Sequence, residues 1–136
     1  MFTVIAGIDT DQSRAVAQAR AIASMPCADT DVRAILLHAF GENPEGGTVE
    51  QVKAAREARD VLEAAGVEAE LQGYGGDAAK AILQVADDED ADRIVLAGRK
   101  RTPAGKVLFG SVTQSVILST DRPVLVCSAV GEAEGQ

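Results

Sequence analysis

Tryptophan is absent from the chain, aromatic residues make up only 3% of it, and His38 is its one histidine. Cys27 and Cys127 are the only cysteines, and neither belongs to a pair with metal-ligand spacing. A disulfide framework and a zinc site are therefore both excluded, and the thiols read as reduced. The scarcity of aromatics leaves no platform for stacking nucleic-acid bases. Long apolar runs are missing too: segments 35–37, 94–97 and 124–127 are strand-length, far short of the ~18 residues that a membrane-spanning helix needs. The start, Met1-Phe2-Thr3-Val4, has no basic stretch ahead of its apolar run, so no secretory signal is expected and a cytoplasmic location is.

Positive charge is the next scarcity. Thirteen basic residues face 21 acidic ones in 136 residues, for a net charge of −8, and only Lys53, Lys80, Lys100 and Lys106 are lysines. Such a surface repels nucleic-acid backbone and anionic membranes, so neither is expected as a partner. The acidic, lysine-poor composition resembles that of cytoplasmic proteins from salt-accumulating halophiles.

What remains is an ordinary globular mixture, 46% hydrophobic and 25% charged, in a length that suits one domain. Apolar segments alternate with helical periodicity along the chain. Residues 2–8 read as a strand, and 11–25 as a helix with Ala15, Val16, Ala19, Ile22 and Ala23 inward, stopped by Pro26. Residues 32–40 are a strand, 41–47 a loop around Pro44, and 48–65 a helix with Val52, Ala55, Leu62 and Ala65 inward, ended by Gly66. Residues 67–72 alternate strictly, which suits an edge strand with one solvated face. Asp77 caps a third helix with Ala78, Ile82, Val85 and Ala86 inward. Residues 93–97 are a buried strand, 98–109 a loop with a helical turn near its end, 111–119 a helix and 123–128 the last strand.

This β-α-β-α-β-α-β-α-β order predicts an α/β fold, a three-layer open parallel five-stranded sheet with right-handed crossovers and strand order 3-2-1-4-5. One domain covers residues 1–130, and the small, polar tail 131–136 is expected to fray. In such a sheet ligands bind outside the carboxyl ends of the strands, where the order reverses. Here that point lies between the tips Gly7-Ile8-Asp9 and Ala97-Gly98. Five of the 13 cations, Arg93, Arg99, Lys100, Arg101 and Lys106, fall between positions 93 and 106, and Gly110-Ser111-Val112 opens the last helix. Glycines, cations and a helix N-terminus suit a phosphate cradle, while the plainer reading is a basic loop offsetting an acidic surface.

Two other glycine patterns carry less. Gly73-Tyr74-Gly75-Gly76-Asp77-Ala78 fits a dinucleotide fingerprint but lacks the acidic residue at the end of the next strand, where Ala97-Gly98 stands. Gly98 and Gly105 are separated by six residues rather than the four of a phosphate-binding P-loop. His38 reads as a near-core histidine, Cys127 as a small hydrophobe, and Asp87-Asp88-Glu89-Asp90 as a solvated helix end.

Asp9, the strand Leu36-Leu37-His38-Ala39, Gly76-Asp77-Ala78, Ala97-Gly98, Gly110-Ser111-Val112 and Arg122-Pro123-Val124-Leu125-Val126 together resemble the universal stress protein family over nearly the whole chain. The resemblance implies a Rossmann-like, adenine nucleotide alpha hydrolase-like fold, in a haloarchaeal-type single-domain member. It also implies a role in stress response through binding of ATP or another adenine nucleotide, with Mg2+ as a possible companion ion. The family's ATP-binding loop has the form Gly-x2-Gly-x9-Gly-Ser/Thr. Gly98 and Gly110-Ser111 match its ends, but Arg101 stands at the second glycine and the loop is one residue shorter.

Carried over, the resemblance assigns Asp9 to the adenine amine and Ala39 to the adenine edge, with Gly7 and Ala97 at the strand tips. Gly98, Gly110, Ser111 and Val112 would hold phosphates, joined by Arg99 and Arg101. The plainer reading of Asp9 is a cap for the first helix. The resemblance also implies a homodimer through residues 124–128, Val124-Leu125-Val126-Cys127-Ser128. Two other functions stay open: an interaction protein that kept the fold but lost the nucleotide site, and a slow ATPase. Asp9 and Asp11 are the only carboxylates placed for magnesium in the latter case.

The charge makes one outcome measurable. Salt shortens the reach of carboxylate repulsion to about 3 Å at 1 M, and an alanine-rich core leaves a thin stability margin. Thermal melts in KCl from dilute buffer to several molar should show a marked rise in Tm; a flat or falling Tm would reject the halophile reading.

Overall fold

The computed structural model describes residues 1–25, 31–41, 47–98, 100–101 and 107–128. Arg99, the 102–106 segment, Pro26, Cys27, the loop around Pro44 and the tail beyond 128 lie outside the described residues. Strands β1 (Phe2–Gly7), β2 (Val32–Ala39), β3 (Glu68–Tyr74), β4 (Arg93–Ala97) and β7 (Val124–Cys127) form one parallel sheet. A two-stranded ribbon, β5 (Lys100–Arg101) and β6 (Val107–Leu108), takes the intervening numbers. The sheet order is β3-β2-β1-β4-β7, which is the predicted 3-2-1-4-5.

Period-two alternation sorts the strand side chains into two cores. Val4, Ala6, Ala34, Leu36 and Val95 face helices α1 (Gln12–Ala23) and α2 (Lys53–Ala64). Ile5, Ile35, Leu37, Ile94 and Leu96 face α3 (Ala78–Asp88) and α4 (Ser111–Ser119). The first layer packs through small residues, with Ala15 and Ala19 on α1 and Ala54, Ala55 and Ala58 on α2 fully or almost fully buried.

Three features differ from the sequence reading. The helix expected over 48–65 is broken. A 3-10 turn, Val49–Gln51, closes on itself through Thr48 N–H donating to Gln51 Oε1 at 2.9 Å, and Val52 is extended (φ −84°, ψ 108°) before α2 begins. Ala65, expected inward, is exposed at the end of α2, whereas Gly66 does supply the left-handed stop at φ +80°. Among the described residues of the loop after β4, 107–108 pair antiparallel with 100–101 as a ribbon, where the sequence reading placed a helical turn near the loop's end.

Charge pairing organises the amino-terminal side of the sheet. Arg33 on β2 forks onto both oxygens of Glu70 on β3, at 2.9 and 3.0 Å, and reaches Glu89 at the end of α3 at 2.7 Å. The guanidinium holds the Glu70 carboxyl below the usual carboxylate range. Arg122 similarly meets the acidic end of α3, donating to Ala91 O at 2.9 Å and to Asp87 Oδ1 at 3.2 Å.

The carboxyl-terminal side is fixed by a residue with no place in the hydrophobic pattern. Gln18 lies on the inner face of α1, 1% exposed. Pairing between β1 and β4 ends at Ala6 and Val95, while β1 continues beside β2 to Gly7 and β4 beside β7 to Ala97. Gln18 Nε2 donates to Gly7 O at 2.8 Å and to Val95 O at 3.1 Å, bridging the two strands where they part.

Replacing Gln18 with Leu removes both donors from buried carbonyls, each costing ~1–3 kcal/mol when left unmet. Urea unfolding of Gln18→Leu should show a loss of about 2–4 kcal/mol with an unchanged m-value, a loss larger than a surface substitution gives; a loss under about 0.5 kcal/mol would show that the bridge carries no weight.

Candidate functional site

Where β1 and β4 diverge, a crevice of about 140 Å³ opens above the sheet. Its lining comes from the β1 tip (Gly7, Ile8, Asp9), the β2 tip (Leu37, His38, Ala39), the β4 tip (Leu96, Ala97), α3 (Ala78, Ile82), the start of α4 (Gly110, Val112, Thr113) and Arg14 of α1. The space is mainly apolar at its floor, with Asp9, Arg14 and His38 as its titratable groups among the described residues. A shallower depression lies at the β3 edge, lined among others by Phe40, Thr48, Val49, Leu71 and Tyr74.

Six of the ten residues singled out in the sequence line the crevice together: Gly7, Asp9, Ala39, Ala97, Gly110 and Val112. Of the other four, Gly98 and Ser111 are not among the residues that line it. Gly98 is buried and its N–H donates to Cys127 O at 2.7 Å, so it extends the β4–β7 ladder. Ser111 is exposed at the start of α4. Arg101 is placed by its backbone in β5, opposite Val107, and Arg99 lies outside the described residues.

Gly7 serves packing. A Cβ there would stand 2.7 Å from Ile82 Cδ1 and 3.0 Å from Leu96 Cδ2, so glycine lets both side chains close against the backbone at the crevice floor. Gly110 is the extended residue that opens α4, with φ −77° and ψ 171°, and has no side chain to cap the helix. The first amides of α4 thus begin at the crevice rim.

Asp9 is not the helix cap. Asp11 is: its Oδ1 accepts the Arg14 N–H at 2.9 Å. Asp9 is instead held from two sides, its Oδ1 accepting the Asp11 N–H at 2.8 Å and its Oδ2 accepting Arg14 Nε–H at 2.9 Å. The Arg14 guanidinium also lies 3.6 Å from Asp11 Oδ2. Asp9 and Asp11 therefore share one cation already supplied by the chain, an arrangement that does not leave them as a vacant carboxylate pair for magnesium.

His38 is buried and stacks edge-on against Phe40 with ring centroids 4.8 Å apart. Its Nδ1 lies 2.7 Å from Ile8 O, and a carbonyl can only accept, so Nδ1 carries the proton. His38 thereby ties the β2 tip to the loop that carries Asp9. On the far side of β4, burial pushes the Cys127 thiol up to about 11, which keeps it protonated and unreactive at neutral pH.

The sequence reading missed Arg14, Thr113 and Ala78 as crevice residues. Arg14 had a detectable signal: a cation in the first turn of a helix opposes the helix dipole and calls for a nearby anion. Ala78 belongs to the glycine-rich segment set aside as an incomplete dinucleotide fingerprint. The segment does reach the crevice, and its Gly76, at φ +112°, closes a two-bond bridge with Gly41 beside the β2 tip (3.1 and 3.0 Å).

A parallel sheet of this order with helices on both faces and a crevice at its switch point defines a Rossmann-like, adenine nucleotide alpha hydrolase-like fold. The chain belongs to the universal stress protein family, whose model matches residues 1–128. A universal stress protein of Mycolicibacterium smegmatis is 39% identical over 71 residues, 52% of this chain and 55% of that relative, so the match spans about half of the relative's length. Among solved structures, a universal stress protein from Archaeoglobus fulgidus superposes with a TM-score of 0.74 at 28% identity, over 93% of this chain and 98% of that one. A universal stress protein in complex with cAMP superposes with a TM-score of 0.72 at 28% identity, over 94% of this chain and 97% of that one.

Proposed function

We propose that this universal stress protein binds an adenine nucleotide at the β1–β4 divergence, with ATP as one candidate, and acts in the cytoplasm as a nucleotide-responsive module of stress signalling rather than as an enzyme. The crevice carries this reading: the fold opens it where open parallel sheets bind ligands, and it gathers Gly7, Asp9, Ala39, Ala97, Gly110 and Val112. The cAMP complex of a similar protein supports the same ligand class. A cavity of roughly 150 Å³ holds a benzene-sized ring, so the 140 Å³ here suits a flat base. Ribose and phosphates then lie at the open side, toward Gly110 and the α4 amides.

In this reading Asp9 accepts the base amine and the β2 backbone at Ala39 meets the base edge. Mg2+, where it accompanies the nucleotide, is held by the phosphates rather than by Asp9 and Asp11, which Arg14 already engages. The shortened loop with Arg101 in place of a glycine favours a second reading, an interaction protein whose phosphate loop has degenerated.

Dimerisation through β7 belongs to both readings. This strand is the sheet edge, Leu125 on it is 37% exposed, and Leu118 on the neighbouring α4 is 85% exposed. An uncovered apolar edge is a pairing surface. The acidic, lysine-poor composition supports a salt-rich cytoplasm and a haloarchaeal-type single-domain member.

Calorimetry with ATP, ADP and AMP in matched high salt should show binding. Gly110→Val, which puts a side chain at the rim, should weaken it more than Lys100→Ala, because salt at 1 M cuts the reach of a single charge to about 3 Å. No heat and no thermal shift at millimolar nucleotide would overturn the nucleotide reading in favour of the second. For the dimer, light scattering at tens of micromolar should give twice the chain mass; a monomer would refute pairing through β7.

A further inference from the structure

Arg14 is an unlikely neighbour for the start of a helix. Its guanidinium sits in the first turn of α1, against the positive end of the helix dipole, and its side chain is only 15% exposed. Two carboxylates account for it, Asp9 Oδ2 at 2.9 Å and Asp11 Oδ2 at 3.6 Å. Asp11 has its own task as the helix cap, whereas Asp9 belongs to the loop after β1 and its side chain is 48% exposed at the crevice.

An aspartate that exposed would ordinarily sample several rotamers. Here one oxygen is fixed by the Asp11 amide and the other by Arg14 Nε, so the carboxylate is held in one orientation before any ligand arrives. Each carboxylate oxygen has about two acceptor sites. One bond to each therefore leaves capacity for a ligand donor.

We propose that Arg14 is a positioning residue that aims Asp9 at an amino group on the ligand's base, and so sets selectivity for 6-amino over 6-oxo purine nucleotides. This rests on the nucleotide reading above. A 6-oxo purine presents an acceptor where the 6-amino purine presents a donor. A pre-aimed carboxylate accepts from the amine and repels the carbonyl oxygen, and a site built to pair a donor discriminates strongly against a ligand that lacks it. Arg14 acts through Asp9: it neutralises part of the carboxylate charge and fixes its direction, and the acceptance itself is made by Asp9.

The test combines the free protein with a binding cycle. In the free protein, Arg14→Gln should shift the Asp11 amide proton upfield and speed its hydrogen exchange, because the Asp9 oxygen that it meets is no longer held. In binding, Arg14→Gln should weaken AMP roughly five- to tenfold, the worth of about one hydrogen bond, and leave IMP nearly unchanged. In an Asp9→Ala background, Arg14→Gln should have no further effect on AMP, since residues that act as one unit are non-additive.

Three results would overturn the proposal while leaving nucleotide binding intact: an unmoved Asp11 amide, equal losses for AMP and IMP, or additive losses in the cycle. Additive losses that are larger for AMP than for adenosine would place Arg14 on the phosphate instead. Tighter AMP binding in Arg14→Gln would show that Arg14 masks Asp9, which also contradicts positioning. Wild-type protein that binds neither nucleotide removes the nucleotide reading and this proposal with it.

Discussion

The site depends on how the sheet is allowed to come apart between β1 and β4. Pairing stops after Ala6 and Val95, and the parting strands leave main-chain carbonyls in the interior, where an unmet acceptor is expensive. Gln18 answers this with the two hydrogens of one amide, donating to Gly7 O and Val95 O. The bridge decides where pairing ends, pins α1 to both strands and sets the floor of the crevice. Because α1 is pinned, its first turn is placed as well, and with it Asp11, Arg14 and the loop that carries Asp9. A single buried side chain thus links the topology of the sheet to the orientation of a carboxylate at its edge.

Electrostatics divides the molecule along the sheet axis. At the amino-terminal side, Arg33 and Arg122 draw acidic residues of β3 and the end of α3 into local pairs. Exposed pairs of this kind stabilise little individually. Their effect in a chain of net charge −8 is to place cations where the acidic density is highest. At the carboxyl-terminal side the described residues of the crevice include one carboxylate and one guanidinium in contact, with neutral glycine and alanine among the other lining residues. The polar atoms there are few and directed, as expected of a site that recognises one edge of a flat ligand.

Much of the fold is written in hydrophobic period. Strict alternation over 67–72 places the edge strand, and unbroken apolar character over 93–97 places a central one. The helix 111–119 is bounded in the sequence by Gly110 and in the structure by the same residue. The unread features are those without periodicity. Val52 has the right spacing to continue a helix, yet the Thr48–Gln51 hydrogen bond closes a separate turn and leaves it extended. Two-residue strands such as β5 and β6 carry no alternation to detect. Gln18 looks like a solvated residue because its partners lie 11 and 77 positions away. The location of the crevice followed from topology, but the division of labour between Asp9 and Asp11 did not, since both are acids at the mouth of α1 and only geometry separates the cap from the crevice-lining group.

The most direct test of this account is an amide and side-chain NMR titration of the free protein with AMP. The largest shifts should fall on the amides of Ile8, Asp9, Ala39, Gly110 and Val112 and on the side-chain amide of Gln18, which touches the crevice floor from beneath. Shifts centred instead on the depression at the β3 edge, around Phe40, Thr48 and Tyr74, or no shifts at millimolar AMP, would contradict a nucleotide site at the β1–β4 divergence.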